Sequence, residues 1–373
     1  MPTPARPDQP TRPGALTRAP SAPAACGLAA VLVAAALLAS AGPGAAATPV
    51  PPATAVPFTD SLPLAERSRA LARASDAVVA VRTLAVEDAR TARTLGRQRE
   101  GSGILVGDDG LVLTVGYLLL EAEHVVLQTD DGLAVPARVL GQDPFSGLGL
   151  VQALVPLRRA PVPLGDLAVT GAPEALTVAS GGIDAAVSPV QLLSRRAFSA
   201  TWEYHLDSAL YTAPARRDHS GAGLFNARGE LVGVGSLLLA DAAGDTAPRQ
   251  AGNLFVPASL ARSMLQQYRD HGRIDPPQRP WMGLNCLEQD GQVRVLRVTD
   301  DSPADVAGLQ AGDHILRIDG VAVDGLARLW TTLWATPESE RPVVLEVQRG
   351  DARWALTVHT VDRSKTLRRA SAI

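Results

Sequence analysis

The chain has 373 residues, 46% hydrophobic and 20% charged, with a net charge of −3. Those values place it among globular proteins of two domains plus tails, and the slight negative charge gives no electrostatic case for nucleic-acid binding. Aromatic residues are only 4%, against 33 glycines and 29 prolines, which suits β-structure with many turns. Cys26 and Cys286 lie in segments of different character, so no disulfide framework is expected.

Residues 1–24 are rich in Pro, Ala and Arg, and Arg6, Arg12 and Arg18 make the start of the chain positive. A continuous apolar run over 27–41 ends at Gly42-Pro43-Gly44, and Ala45-Ala46-Ala47 supplies small residues of the kind cleaved after an export signal. Residues 1–47 therefore read as a signal peptide. The alternative is an uncleaved membrane anchor, since counting Ala24 to Cys26 makes the run borderline for a span. Cys26 precedes the run instead of following it, which argues against lipid attachment there. Residues 48–61 are a Pro/Ala linker.

An amphipathic helix is predicted from residue 62 to 75, with Leu64, Leu71 and Ala74 on one side. A strand begins at 78–81, and a hairpin follows at 101–106 and 111–114 around the turn Asp108-Asp109-Gly110. More are predicted at 125–128, 134–140, 149–153, 175–179, 187–193, 210–212, 231–236 and 253–256, with a closing helix at 258–271. Many short strands with Gly/Asp turns and no helices between them mean an all-β barrel or sandwich.

Within this region Ser220-Gly221-Ala222-Gly223 precedes Leu224-Phe225-Asn226. A serine on a tight Gly-rich turn ahead of a buried strand is where a hydrolase exposes a nucleophilic hydroxyl. Asp218, His219 and Ser220 are the residue types of a catalytic triad, but neighbouring side chains point apart and cannot form the relay. The other histidines (His124, His205, His271, His314 and His359) show no metal-ligand spacing, and neither metal nor other cofactor is expected.

Together with Gly101-Ser102-Gly103, Asp143-Pro144, Leu164-Gly165-Asp166 and Gly252-Asn253-Leu254-Phe255-Val256-Pro257, the serine stretch resembles the HtrA/Deg branch of trypsin-like serine proteases over residues 62–273. The resemblance implies a trypsin-like double β-barrel and says where the triad should stand. Tyr117, in Leu113-Thr114-Val115-Gly116-Tyr117, occupies the histidine position. Gly147, in Asp143-Pro144-Phe145-Ser146-Gly147, occupies the aspartate position. Ser220 is left as a remnant nucleophile or a mere turn residue, and Asp218 replaces the oxyanion-hole glycine. A tyrosine with a pKa near ~10 is protonated at neutral pH and is no general base. A glycine orients nothing, and a carboxylate opposes a developing oxyanion. His124 and His205 are expected at the surface or a strand edge, so neither supplies the missing base.

Residues 274–280 are Pro-rich and read as a stiff linker. Beyond them stand Trp281-Met282-Gly283-Leu284, a strand at 293–298, and Ser302-Pro303-Ala304 running through Ala311-Gly312-Asp313 to Gly320. This stretch resembles a PDZ domain of the bacterial HtrA type over 281–361. The resemblance implies that residues 281–284 hold a peptide's terminal carboxylate on backbone N–H groups. Gly283 is required there for a close backbone approach and a positive φ. The strand after it would accept a peptide by β-augmentation. A helix at 324–335, with Leu326, Leu329, Trp330 and Leu333 at helical spacing, would wall the groove, Leu329 and Leu333 either touching ligand or forming plain core. Residues 362–373 are a basic tail ending Ser371-Ala372-Ile373, either a ligand for such a groove or an ordinary solvated segment.

The fold expected is thus mainly β, a trypsin-like double β-barrel domain followed by a PDZ domain. The resemblance implies an exported protein of the periplasm or cell envelope. Its departures point to a pseudoprotease that binds unfolded polypeptides or C-termini as chaperone, adaptor or regulator of an active HtrA-type protease. The alternatives are an active endopeptidase with a rearranged site and a pure scaffold. A homo-oligomer is also implied, a trimer built through the segment around Phe58.

Overall fold

A computed structural model describes residues 62–167, 175–182, 185–244, 248–275 and 277–368. The signal or anchor at 1–47, the linker at 48–61, Cys26, the segment around Phe58 and the terminal Ser371-Ala372-Ile373 lie outside the described residues.

Helix α1 (Leu64–Asp76) buries Ala70 and Ala74, whereas Leu64 is 79% exposed. The expected stripe is therefore shorter than the sequence reading, because Leu64 sits in the first turn, beyond the barrel surface that covers Ala74. Strands β1 (Val78–Ala85), β2 (Gln98–Leu105), β3 (Leu111–Val115), β4 (Ala122–Gln128), β5 (Ala134–Gln142) and β6 (Leu148–Ala153) close into one barrel in the order β1-β2-β3-β6-β5-β4, with a short helix α2 (Ala92–Leu95) between the first two. Strands β7 (Leu176–Ala179), β8 (Val187–Ser199), β9 (His205–Ala213), β10 (Gly223–Phe225), β11 (Leu231–Leu239) and β12 (Gly252–Pro257) close a second, in the order β10-β11-β12-β9-β8-β7. Successive residues of a strand face opposite ways. Strand β3 is nevertheless buried throughout, because it lines its own barrel and also meets β11 of the other. Helix α3 (Arg262–His271) follows the second barrel and ends at Gly272 in the left-handed conformation.

The rest of the chain forms a smaller unit with its own core. Strands β13 (Pro280–Trp281), β14 (Leu284–Gln289) and β15 (Gln292–Val298) are followed by the short helix α4 (Pro303–Val306), which Ser302 caps by accepting the Asp305 N–H. Strands β16 (His314–Ile318) and β17 (Val321–Ala322), helix α5 (Leu326–Leu333), and strands β18 (Pro342–Arg349), β19 (Ala352–His359) and β20 (Val361–Asp362) complete it. The main sheet runs β14-β15-β16-β18-β19, and β13 pairs with β20. Its core gathers Leu284, Val293, Ile315, Leu329, Trp330 and Leu345.

Two segments expected to be free are seated. Arg279, in the stretch read as a linker, is buried: its guanidinium lies 3.3 Å from the Trp334 ring centroid and 4.6 Å from that of Phe145, and it donates to the Pro144 carbonyl. Cation–π contact and covered apolar surface outweigh the tendency of a Pro-rich segment to stay solvated. In the basic tail, Asp362 caps a 3-10 turn at Arg363–Thr366, and the Arg368 N–H donates to Glu121 at 2.8 Å. The tail is thus held by backbone bonds as far as Arg368.

Trp330→Ala should cost about 3–5 kcal/mol, the range for emptying a fully buried aromatic site, whereas Leu64→Ala should change stability by no more than about 0.5 kcal/mol. Urea unfolding of the two variants checks the contrast.

Candidate functional site

Ser220 lies in the loop between β9 and β10, and Tyr117 lies on the 3-10 turn Gly116–Leu118 directly after β3. The loop is held against the first barrel by its backbone: the Ser220 carbonyl accepts the Ser102 N–H at 2.7 Å. Gly221 adopts φ +72, and a Cβ there would run into the Ser102 carbonyl, so this position needs glycine. Across the seam the Tyr117 hydroxyl donates to Ser220 Oγ at 2.7 Å and approaches the Ser236 carbonyl at 3.2 Å. The two side chains singled out from sequence are therefore in contact. Burial pushes the Tyr117 phenol up to about 12, against the opposing effect of the Ser220 hydrogen bond. A phenol of that kind stays protonated at neutral pH and cannot take a proton from serine.

Gly147 stands next to this pair, its carbonyl accepting the Gly116 N–H at 2.7 Å. The space a side chain would need at Gly147 is occupied. A Cβ would sit 3.0 Å from Tyr204 Oη and 3.2 Å from Tyr204 Cε2, and the backbone is at φ +72. Tyr204 is buried and donates to the Ser146 carbonyl at 2.6 Å. An acidic residue at 147 would thus strain the backbone and press on Tyr204.

Asp218 is engaged by Arg216, and it accepts the Ser180 hydroxyl at 2.6 Å. Burial pushes its carboxyl up, but Arg216, Ser180 and its own backbone N–H outweigh that and hold it below the usual carboxylate range. It is an anion at neutral pH, paired with Arg216 and two residues before Ser220 in the loop. No histidine is hydrogen-bonded to Ser220 among the described residues. His219 points Nδ1 at the Arg216 and Arg217 carbonyls (both 3.1 Å), His205 lies 2.8 Å from Ser199 Oγ and 3.2 Å from Asp207, and His124 is exposed on β4. Nor do three His, Cys, Asp or Glu side chains gather to hold a metal ion among the described residues.

The second candidate site lies where Trp281 and Met282 lead into β14. Gly283 has φ +93, and a Cβ would collide with Ser302, so only glycine fits. Its N–H donates to Glu203 Oε1 at 2.6 Å, the Leu284 N–H to the same oxygen at 2.9 Å, and the Met282 N–H to both carboxylate oxygens at 3.1 and 3.2 Å. Three successive backbone donors thus converge on one carboxylate, the arrangement of an anion-binding nest. Leu329 and Leu333 are fully covered in the core, and the α5 side chain that reaches across is Trp330, donating to the Ala200 carbonyl at 3.0 Å. Glu203, Tyr204 and Arg279 were not singled out from sequence as site residues, whereas Trp330 was expected on the helix walling the groove. The available signal was the run Trp202-Glu203-Tyr204 between two strands, which by itself points to no partner.

Gly147→Asp alone should lower stability by about 1–3 kcal/mol, because it combines an unfavourable φ with overpacking against Tyr204. Thermal melts of Gly147→Asp and of Gly147→Asp with Tyr204→Ala test this, the second variant recovering part of the loss. Labelling of Ser220 by a fluorophosphonate should stay at background from about pH 6 to 9, since the Tyr117 phenol titrates above that range. A labelling step with a midpoint inside it would reveal a base that the geometry lacks.

Residues 101–234 match the trypsin-like peptidase domain family and residues 280–360 the PDZ domain family. A probable periplasmic serine endoprotease, DegP-like, from Pseudomonas fulva (strain 12-X) is 29% identical over 60% of this chain and 49% of its own length. The periplasmic pH-dependent serine endoprotease DegQ of Escherichia coli (strain K12) is 28% identical over 67% of this chain and 56% of its own. The chain thus spans about half the length of these curated relatives. An HtrA-type protease solved with a tripeptide superposes with a TM-score of 0.50 at 21% identity, covering 80% of this chain and 97% of that one. Two closed barrels followed by a six-strand sheet with its N–H nest agree with both family matches. The chain carries a trypsin-like peptidase domain followed by a PDZ domain and is similar to proteases of the HtrA type.

Proposed function

We propose that this chain is a pseudoprotease whose work is to bind polypeptide C-termini at residues 281–284. The observation that carries the reading is the convergence of the Met282, Gly283 and Leu284 N–H groups on one carboxylate. Such a nest suits the terminal carboxylate of a peptide laid along β14. On the other side, Ser220 has a protonated phenol where a base is required, Tyr204 packs where a side chain at 147 would lie, and Asp218, paired with Arg216, stands two residues before the serine. Losing triad members costs on the order of 10⁶ in turnover.

The setting is the periplasm or cell envelope, as the names of the relatives indicate for those proteins. The clients in this reading are unfolded envelope polypeptides, exposed C-termini, or an active HtrA-type protease that the chain regulates, and the working form is a homo-oligomer.

Purified protein should hydrolyse neither casein nor peptide esters above background, and turnover abolished by Ser220→Ala would overturn the pseudoprotease reading. A labelled peptide with a free apolar C-terminus should bind more tightly than its C-terminal amide by about 1–3 kcal/mol, the scale of a hydrogen bond to a charged group. Equal affinities by fluorescence polarisation would refute carboxylate capture.

A further inference from the structure

The carboxylate that occupies the nest comes from the same chain. Glu203 lies in the tight connection between β8 and β9, closed by the Ala200 N–H donating to the Tyr204 carbonyl at 2.9 Å. Its neighbours continue along the PDZ domain as a ligand would. The Thr201 carbonyl accepts the Cys286 N–H at 2.6 Å, and Trp202 forms an antiparallel bridge with Asn285. From the other wall, Trp330 on α5 donates to the Ala200 carbonyl. Segment 200–203 therefore lies between β14 and α5, antiparallel to β14, with its acidic group at the loop end. That polarity is the one a C-terminal peptide needs, with residue 203 in the place of the last residue and its side-chain carboxylate standing in for the terminal one.

Two guanidinium groups face the same carboxylate. Arg363 counters the desolvation of Glu203, and Glu203 in turn counters the desolvation of Arg279. Arg279 lies between Phe145 and Trp334, and Arg363 over Trp281 at 4.5 Å. A carboxylate replacing Glu203 would meet the same N–H groups and the same positive charge.

We propose that segment 200–203 is an internal ligand that closes the PDZ groove, so that an external C-terminal peptide binds only by displacing it. This rests on reading residues 281–284 as a carboxylate site. A segment tethered at both ends competes at high effective concentration, and the apparent affinity for any outside peptide falls by the fraction of molecules that are open. Displacement also reaches the other site. Tyr204 follows Glu203 directly, stacks on Trp202 at 6.3 Å, and fills the space beside Gly147. Withdrawing the segment pulls on the side chain that packs next to the Tyr117–Ser220 pair.

The test uses the full chain and a fluorescein-labelled peptide with a free apolar C-terminus, alongside its C-terminal amide. Glu203→Gln and Glu203→Ala should each bind both peptides about tenfold more tightly than the wild type, or better, with the free acid remaining the tighter of the two. Hydrogen exchange at the Gly283, Leu284 and Cys286 amides should be faster in both variants. A paired variant, Trp202→Cys with Asn285→Cys, places a disulfide across the antiparallel pair, whose spacing suits one. Oxidised, it should bind no peptide; reduced, it should bind as the wild type does. Equal affinity of the free-acid peptide for wild type and both Glu203 variants overturns the closure and leaves the carboxylate site standing. If neither peptide binds any form while the amides exchange faster in both variants, the carboxylate-site reading fails and the closure does not. Should Glu203→Ala fail to fold, equal binding by the oxidised and reduced paired variant overturns the closure on its own.

Discussion

The contact on which the arrangement of this protein turns is the Glu203 carboxylate held by the N–H groups of Met282, Gly283 and Leu284. Taking a carboxylate out of water is costly unless its lone pairs are met by donors. Burial does push the Glu203 carboxyl up, and the three N–H groups and Arg363 work against that shift. The donors can converge only because Gly283 takes a positive φ in a space closed to any Cβ by Ser302. Once Glu203 is seated, residues 200–202 are drawn alongside β14, and Trp330 meets the Ala200 carbonyl. The relation of the second barrel to the PDZ domain follows from that one docked segment.

The next residue carries the effect towards the Tyr117–Ser220 seam. Tyr204 packs where a side chain at 147 would lie and donates to Ser146, while Arg279 donates to the Pro144 carbonyl of the same loop and stacks on Trp334 of the PDZ domain. Gly147 and Tyr204 are thus two halves of one packing solution: the glycine leaves room and the tyrosine uses it. Tyr117 and Ser220 form another, a protonated phenol donating to a hydroxyl. Close-packed interiors tolerate few voids, so the altered positions support one another as a repacked core does. Restoring a single catalytic residue type here works against its neighbours.

Much of this was legible in the sequence. Alternation and Gly/Asp turns gave nearly every barrel strand, and the motifs around Ser220, Tyr117 and Gly147 placed three residues that the fold brings to one seam. Strand β10 was missed because Gly223–Phe225 is short and reads as part of the serine turn. Leu64 was assigned to a buried stripe by period alone, and nothing in a periodic pattern tells where the covering surface ends. Arg279 and the tail as far as Arg368 were read as free because composition reports solvation tendency and not distant partners. Glu203 was the hardest to find. Its donors lie about eighty residues away in sequence, and a lone glutamate in a loop has no pattern to mark it.

A groove filled from within sets a condition on what can open it. A ligand shifts such an equilibrium only by its differential affinity for the open form. Glu203 already satisfies the nest, so an incoming carboxylate gains little from that bond alone and must recover the rest along β14 and α5. The internal segment offers few points of contact there, the Thr201 carbonyl on Cys286, the Trp202–Asn285 bridge and the Ala200 carbonyl on Trp330, and leaves Trp202 42% exposed. A longer peptide pairs with more of β14 than this short turn can, because the turn must reverse into β9 at His205. Chain length and side-chain fit along the strand then discriminate among ligands, while the carboxylate fixes their register. The segment such a peptide would displace runs directly into Tyr204, which packs beside Gly147.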